Sequence, residues 1–186
     1  MKEAENILRI LKETKEAIHE NDSYKIKNLS NQTVHTATIA QDSDNIVIAV
    51  LIYALSKIIE REHYRPMPGW DKFYTGVLKN LDSAISALEK NNIEKYRDSV
   101  GEMRNSINDI SGNLKDYIKD VFAKAGINKA FRMYEHGLSS KQTADLLGVS
   151  LWDLASYIGQ SSVSEAKLGH SLPVKERIKI AEDIFR

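Results

Sequence analysis

Apolar residues recur every three or four positions along most of this chain, which is the spacing of one face of an α-helix. The first such run covers residues 3 to 20 and ends at "HENDSY". The following segment, "YKIKNLSNQTVHTATIAQ", has a weaker pattern that we also interpret as a helix. Residues 45 to 63 are apolar on nearly every side, which predicts the central helix of a bundle. A buried strand at 46 to 52 is the competing interpretation.

The loop "RPMPGW" (65 to 70), with two prolines and a glycine, separates a second helical pair from the first. Apolar positions then line one helix from Phe73 to Leu88, and "KNN" turns the chain. From Tyr96 to Val121 the apolar residues alternate four and three apart, which predicts a long helix packed on its predecessor. "SGN" (111 to 113) is a point where that helix kinks or splits. We find no internal repeat in the sequence.

These patterns predict an all-α protein with two parts. Residues 1–125 form a helical bundle of two helical pairs, and residues 126–186 form a helix-turn-helix module with a closing C-terminal helix. The boundary is placed at "AGIN" (125 to 128), and a further helix is expected at about 128 to 136. The closing helix is "PVKERIKIAEDIF", in which Pro173 suits the first turn.

The stretch "GLSSKQTADLLGVSLWDLASYIG" (137 to 159) has the residue types that lock two short helices at a steep angle. Ala144 is small where the helices touch, and Gly148 accepts the positive φ that the turn needs. The expected helix caps are Ser139 or Ser140 for the first helix and Ser150 for the second. The expected apolar wedge between the helices consists of Leu147, Val149 and Leu154, closed by Tyr157 or Ile158.

Composition and charge exclude several classes of function. The chain has 186 residues with 26 basic and 26 acidic side chains, so no net charge attracts it to nucleic acid or to an anionic membrane. Cysteine is absent, which excludes disulfides, thiolate catalysis and cysteine-ligated zinc. The five histidines show no i, i+4 pairing and no phosphate-binding motif occurs, so we expect no metal and no cofactor. A charged N-terminus and short apolar runs predict a cytoplasmic protein with no membrane contact.

The segment "MYEHGLSSKQTADLLGVSLWDL" (133 to 154) resembles the helix-turn-helix of small prokaryotic antitoxin proteins. The residues that match the family's pattern are Tyr134, Gly137, Ser140, Ala144, Gly148, Ser150 and Trp152. Asp153 stands where the family often has glutamate. The resemblance covers this segment alone, and it implies regulation or control of a partner rather than catalysis.

The second helix of the motif contains no lysine or arginine, which bears on what it binds. Its outward positions are expected to be Leu151, Trp152, Asp153, Ala155, Ser156 and Gln160. Phosphate contacts usually come from lysine and arginine, and base contacts often from arginine, lysine or amide side chains. Residues 126 to 186 contain eight basic and seven acidic residues, a weak excess for a DNA-binding surface. An exposed Trp-Leu pair instead suggests a protein partner.

The module nevertheless offers candidate contacts for either DNA or a protein partner. The residues that we expect to make them are Lys141, Gln142, Ser150, Trp152, Ser156 and Gln160. Lys129 and Arg132, on the preceding helix, are expected beside a DNA backbone. Because one such module contacts too little DNA for specificity, we expect the bundle to provide homodimerisation or ligand sensing.

A polar stripe in the second predicted helix supports an alternative, catalytic interpretation. Its members are spaced three and four apart on one helical face: Asn28, Asn31, His35, Thr38 and Asp42. Together with Arg61 and His63, the side chains of His35 and Asp42 suit phosphodiester chemistry, in which histidine acts as acid or base and arginine binds phosphate. The same stripe is also typical of a hydrogen-bonded seam between helices or of a solvated face. The sequence therefore favours a non-enzymatic regulator, antitoxin-like or transcriptional, with a helical-bundle ribonuclease or toxin-like enzyme as the alternative.

Overall fold

Eight α-helices and one 3₁₀ turn, with no strand, make up the residues that the computed structural model describes, which are 3–40, 43–106, 110, 112–136, 138–147 and 149–165. The all-α prediction is confirmed. The helices are α1 (Ala4–His19), α2 (Ser23–Ala40), α3 (Ser43–Ile59), α4 (Trp70–Glu89), α5 (Ile93–Asn105), α6 (Asn113–Glu135), α7 (Ser140–Leu147) and α8 (Leu151–Glu165), with the 3₁₀ turn at Glu62–Tyr64. The helical interpretation of residues 45 to 63 is therefore right as far as Ile59, where α3 ends before the 3₁₀ turn, and the strand at 46 to 52 is wrong.

The turns α1–α2 and α4–α5 have the same geometry, 70 residues apart. Asn21 and Asn91 both adopt a left-handed backbone, with φ of 56° and 54°. In each turn the next residue closes a backbone hydrogen bond to the preceding helix, and its side chain accepts one from the first turn of the following helix. These bonds run from Asp22 N to Ala17 O (2.9 Å), Lys25 N to Asp22 Oδ1 (2.8 Å), Asn92 N to Ala87 O (2.8 Å) and Lys95 N to Asn92 Oδ1 (2.9 Å). Each turn thus combines a helix C-cap with an N-cap.

The repeat extends over three helices in each half of the bundle, so the expectation of no internal repeat is wrong. α5 begins 70 residues after α2, and α6 begins 70 residues after α3. Buried positions recur at the same spacing: Ile7 and Val77, Leu11 and Leu81, Ala17 and Ala87, Ile26 and Tyr96, Ile48 and Ile118, Leu51 and Val121. Corresponding helices pack on each other, α1 with α4 and α3 with α6. The sequence hides this repeat because many apolar residues of suitable size satisfy a buried position.

The long helix predicted from Tyr96 to Val121 is two helices. α5 ends at Asn105, and α6 begins after Gly112, whose φ of 72° suits glycine. The split at "SGN" is therefore confirmed. Both helices still contribute to one core shared by α1 to α6, in which α3 lies between α2 and α6 and is buried on most sides.

α6 continues through the predicted boundary at "AGIN", so the expected break between helices is wrong. Residues 130–135 of α6 lie beyond the part that matches α3, and Ala130 and Phe131 in this extension pack against α7 and α8. The helix-turn-helix is thus mounted on a helix that also belongs to the bundle. The division into domains at 125 stays a prediction, and the closing helix expected at 173–185 lies outside the described residues.

Replacing Gly126 by alanine is expected to stabilise the protein by about 0.5–1 kcal/mol, because this glycine lies inside α6 rather than in a turn. An added Cβ meets only Val149 Cγ1, at an ordinary contact distance of 3.6 Å. Urea unfolding of the wild type and the variant measures the change.

Gly69 provides a control at which the same substitution is expected to lower the stability. Its φ is +92°, and an added Cβ lies 2.8 Å from Ile110 Cγ2, so Gly69→Ala is expected to destabilise. A loss of stability in Gly126→Ala as large as in Gly69→Ala would contradict a continuous α6.

Candidate functional site

The helix-turn-helix is locked by a small apolar cluster of its own. Ala144 and Leu154 are 3% and 0% exposed, and they pack against Ala130 and Phe131 of α6. The partly buried residues around this cluster are Leu147, Val149, Tyr157 and Ile158. The predicted apolar wedge is therefore confirmed, with both Tyr157 and Ile158 contributing. Gly137 and Gly148 lie outside the described residues.

Two of the predicted contact residues hold helix ends. Ser139 Oγ accepts a hydrogen bond from Gln142 N (3.2 Å), while Gln142 Oε1 accepts from Ser139 N (3.2 Å) and Ser139 Oγ (2.9 Å). Ser150 Oγ accepts from Asp153 N (3.0 Å) and donates to Asp153 Oδ2 (2.6 Å). These are reciprocal caps at the starts of α7 and α8. Gln142 and Ser150 were expected to contact DNA or a partner. In the structure their side chains cap α7 and α8.

The outward positions of α8 are the predicted ones. Leu151 is 50% exposed and Trp152 is 80% exposed, and Ala155 and Gly159 lie exposed on the following turns. An added Cβ at Gly159 meets nothing within 4 Å, so nothing in the described chain covers this side of the helix. Lys141, on α7, is also exposed.

Lys129 does not lie where a DNA backbone would reach it. Its side chain is 1% exposed, and its Nζ donates to Asn31 Oδ1 at 2.9 Å. The same Nζ lies 4.2 Å from the ring centroid of Tyr53. Arg132 is exposed, but it forms an ion pair with Glu135 at 2.8 Å. The expected phosphate contact at Lys129 is therefore wrong.

The surroundings of Lys129 disfavour its charge. Burial lowers its pKa, and the nearby cations Arg132 and Lys27 lower it further, to about 7. Within the described part of the chain, no carboxylate forms an ion pair with Lys129. A signal for this burial exists in the sequence, since Lys129 follows Val121 and Ala125 at four-residue steps along one helical face.

A cleft of about 490 Å³ lies between α3, α6 and α8. Ser156 and Gln160, which were expected to face DNA or a partner, line one wall of this cleft. Tyr53, Lys57 and Arg61 line the wall from α3. Burial raises the pKa of Tyr53, and Tyr157 and Glu60 raise it further against the opposite effects of Lys57 and Arg132. This site could not be predicted from the sequence, because its walls come from three distant segments of the chain.

A second cleft, of about 720 Å³, lies on another side of α6. Its walls come mainly from α3, α6 and the turn of the helix-turn-helix, and they include Val50, Phe122, Leu147 and Val149. The two clefts share Ile127 and Asp153, so the start of α8 lies between them.

The structure places the backbone of His35 far from Arg61, two of the residues proposed for catalysis. Ser30 Oγ donates to Ala49 O at 2.6 Å, which sets the antiparallel register of α2 and α3. In this register His35, whose backbone is helical, lies near the start of α3, while Arg61 follows its end. Helical rise separates the two by on the order of 20 Å.

The remaining members of that grouping have other surroundings. Arg61 Nη1 donates to Lys57 O at 2.8 Å, and the ring of His63 packs edge-on against Tyr64 at 4.7 Å. Asp42 and the side chain of His35 lie outside the described residues. Across the described ranges, no three histidine or acidic side chains form a group that could hold a metal ion. The structure therefore separates His35 from Arg61, while the place of Asp42 in the grouping with His35, Arg61 and His63 stays a prediction.

Comparison of this chain with known proteins finds no matching family model, no matching curated protein and no matching solved structure. Of the helices described, none combines the length and apolar character needed to cross a membrane. Function is therefore inferred from the surfaces and clefts of the chain itself.

Proposed function

We propose that this protein is a non-enzymatic regulator whose helix-turn-helix binds a protein partner through the exposed side of α8. The observation that carries the proposal is Trp152, which is 80% exposed at the start of the helix that normally reads a ligand in this motif. Leu151, Ala155 and Gly159 extend the exposed apolar surface around it. We call these four residues the α8 face.

The chemistry of the α8 face favours protein over DNA. α8 contains no lysine or arginine, whereas phosphate contacts depend on such cations. The side chains of Gln142, Ser150 and Asp153 form hydrogen bonds in the caps of α7 and α8, which leaves fewer polar groups for contacts with bases. Tryptophan is enriched among the residues that dominate the binding energy of protein interfaces. The resemblance to prokaryotic antitoxins supports the same class, since it implies control of a partner.

Trp152→Ala is expected to weaken the complex with the partner at least about thirtyfold, the effect of losing a central interface residue worth about 2 kcal/mol. The full chain is used as bait to capture binding proteins. The affinity of each captured protein for the wild type and for the variants is then measured by titration. Tyr24→Ala is the matched control, because Tyr24 is 72% exposed on α2 and far from α8 in sequence. Equal loss in both variants, or no loss in either, would contradict the role of the α8 face.

DNA binding is tested separately by fluorescence anisotropy with mixed duplex DNA at about 50 and 200 mM salt. We expect no salt-dependent binding of the protein to the DNA. Binding that weakens tenfold or more over this range, and that Lys141→Glu abolishes, would replace the proposal with a DNA-binding regulator. Sedimentation over a range of protein concentrations shows whether the partner is a second copy of the chain.

A further inference from the structure

The cleft between α3, α6 and α8 has the size and composition of a small-molecule site. Its volume of about 490 Å³ lies within the usual range of about 300–1,000 Å³ for such sites. Val121, Ala125 and Ile127 form an apolar part of its surface, and Tyr53 and Tyr157 add two aromatic rings. Ligand sites are typically apolar with a few convergent polar groups.

Cationic side chains outnumber acidic ones in this cleft. Among the described residues, Lys57, Arg61 and Lys124 line it, and Asp153 is the one carboxylate in its lining. The Asp153 carboxylate is already engaged by the Ser150 hydroxyl, at 2.6 Å. Because carboxylates outside the lining pair with Lys57 and Lys124, an anion entering the cleft depends on Arg61 rather than on an overall positive surface.

Arg61 is the cation best placed to bind an anion. Lys57 is paired with Glu60 at 2.6 Å, and Lys124 with Asp120 at 2.7 Å. Arg61 donates only Nη1, to the carbonyl of Lys57, and within the described ranges it forms no ion pair with a carboxylate. A guanidinium presents donors on several nitrogens, so it retains groups for a carboxylate, sulfonate or phosphate.

The opposite wall supplies neutral hydrogen-bonding groups from the helix-turn-helix. Ser156 and Gln160 of α8 line it, and the Tyr157 hydroxyl is held by Asn128 Nδ2 at 3.0 Å. Beneath the α3 wall, the buried ammonium of Lys129 lies against the ring of Tyr53. Lys129 does not reach the surface of the cleft, and the lowered pKa of its buried amine limits the charge that it adds to the site.

We infer that this cleft binds a small organic anion, with the charged group at Arg61 and an apolar body against Tyr53 and Tyr157. The ligand would contact both the bundle and α8. Its occupancy is therefore expected to stabilise α8 on the bundle, because a ligand that binds only the assembled site favours that arrangement by mass action. Trp152 lies one turn before Ser156 on α8 but does not line the cleft, so a Trp152 variant separates binding in the cleft from binding at the α8 face.

The first experiment titrates the full chain with 8-anilinonaphthalene-1-sulfonate, a fluorescent probe with a sulfonate and a planar apolar body. We expect saturable binding at one site. N-phenyl-1-naphthylamine, which is the same body without the sulfonate, is expected to bind at least about tenfold more weakly. Equal affinity for the two probes would overturn the role of Arg61 in binding the anionic group.

Variants then locate the bound probe. Arg61→Gln removes the cation and is expected to weaken binding about tenfold, while Arg65→Gln, a nearby arginine that does not line the cleft, is expected to leave it unchanged. Ser156→Phe fills the cleft from an exposed position and is expected to abolish binding. Trp152→Ala is expected to have no effect, because the probe is not at the α8 face. Binding that survives both Arg61→Gln and Ser156→Phe, or that is lost in Trp152→Ala, would exclude this cleft as the site.

Discussion

Replacement of Lys129 by methionine is expected to raise the free energy of unfolding at pH 6–7 by about 1–4 kcal/mol, as when a buried ion pair is replaced by apolar side chains, because it removes the cost of burying a charge. Lys129 is 1% exposed, and within the part of the chain that the structure describes its side chain has one hydrogen-bond partner, the neutral amide of Asn31. Methionine has a similar unbranched length and needs no partner. Asn31 is exposed, so water can satisfy the oxygen that Lys129 leaves.

The pH dependence of stability provides the sharper signature of this lysine. Its pKa is about 7 in the folded protein against an ordinary value of 10.5. Between these values the unfolded chain holds a proton that the folded chain has released, so wild-type stability rises with pH, by at most about 1.4 kcal/mol per pH unit. Below pH 7 both states are protonated and the full cost of the buried charge remains.

Urea unfolding at several pH values between 6 and 9.5 measures this difference between wild type and Lys129→Met. The gain of the variant is expected to shrink as pH rises above 7. Lys124→Met is the matched control on the same helix, because the Lys124 side chain is 72% exposed. If the stability gained in Lys129→Met does not change with pH, then burial of a charged lysine is not what destabilises the wild-type protein.

Leu154→Ala is expected to destabilise the helix-turn-helix by about 2–5 kcal/mol, the usual cost of deleting a buried leucine. Leu154 is 0% exposed and packs against Ala130, Phe131 and Ala144. That cluster is small and separate from the main core of the bundle. The loss is therefore expected to be local, because α1 to α5 do not depend on these contacts.

Hydrogen exchange with mass spectrometry resolves where the protection is lost. Amides of α7 and α8 are expected to exchange faster in Leu154→Ala, while those of α1 to α4 keep their wild-type protection. Leu151→Ala, at a position 50% exposed, is expected to change stability by less than about 0.5 kcal/mol. Uniform loss of protection along the chain would instead mean that the bundle and the helix-turn-helix unfold as one unit.

Much of the helix-turn-helix could be predicted from the sequence because its signals are local. The small residue at Ala144, the apolar wedge and the caps at Ser139 and Ser150 all act within about 20 residues, where spacing alone determines which groups meet. The exposure of Trp152 follows from the same local geometry. The function of that exposed residue stays a proposal, because spacing does not identify a partner.

The parts of the candidate sites that could not be predicted depend on contacts between distant segments. Arg61 was grouped with His35 because both lie near the apolar helix in sequence, whereas the antiparallel register of α2 and α3 places them at opposite ends. Lys129 was assigned to a surface because lysine is seldom buried, and only its contacts with Asn31 and Tyr53 show otherwise.

The sequence by itself determined the helical class, most of the helices and the apolar lock of the helix-turn-helix, because hydrogen bonds and side-chain periodicity within a helix are set by neighbours in the chain. Only the tertiary structure decided that α4 to α6 repeat α1 to α3, that Lys129 is buried, and that Ser156 and Gln160 line a cleft with Arg61. The physical reason is that periodicity marks the side of a helix that leaves water, but it does not say which other segment covers that side.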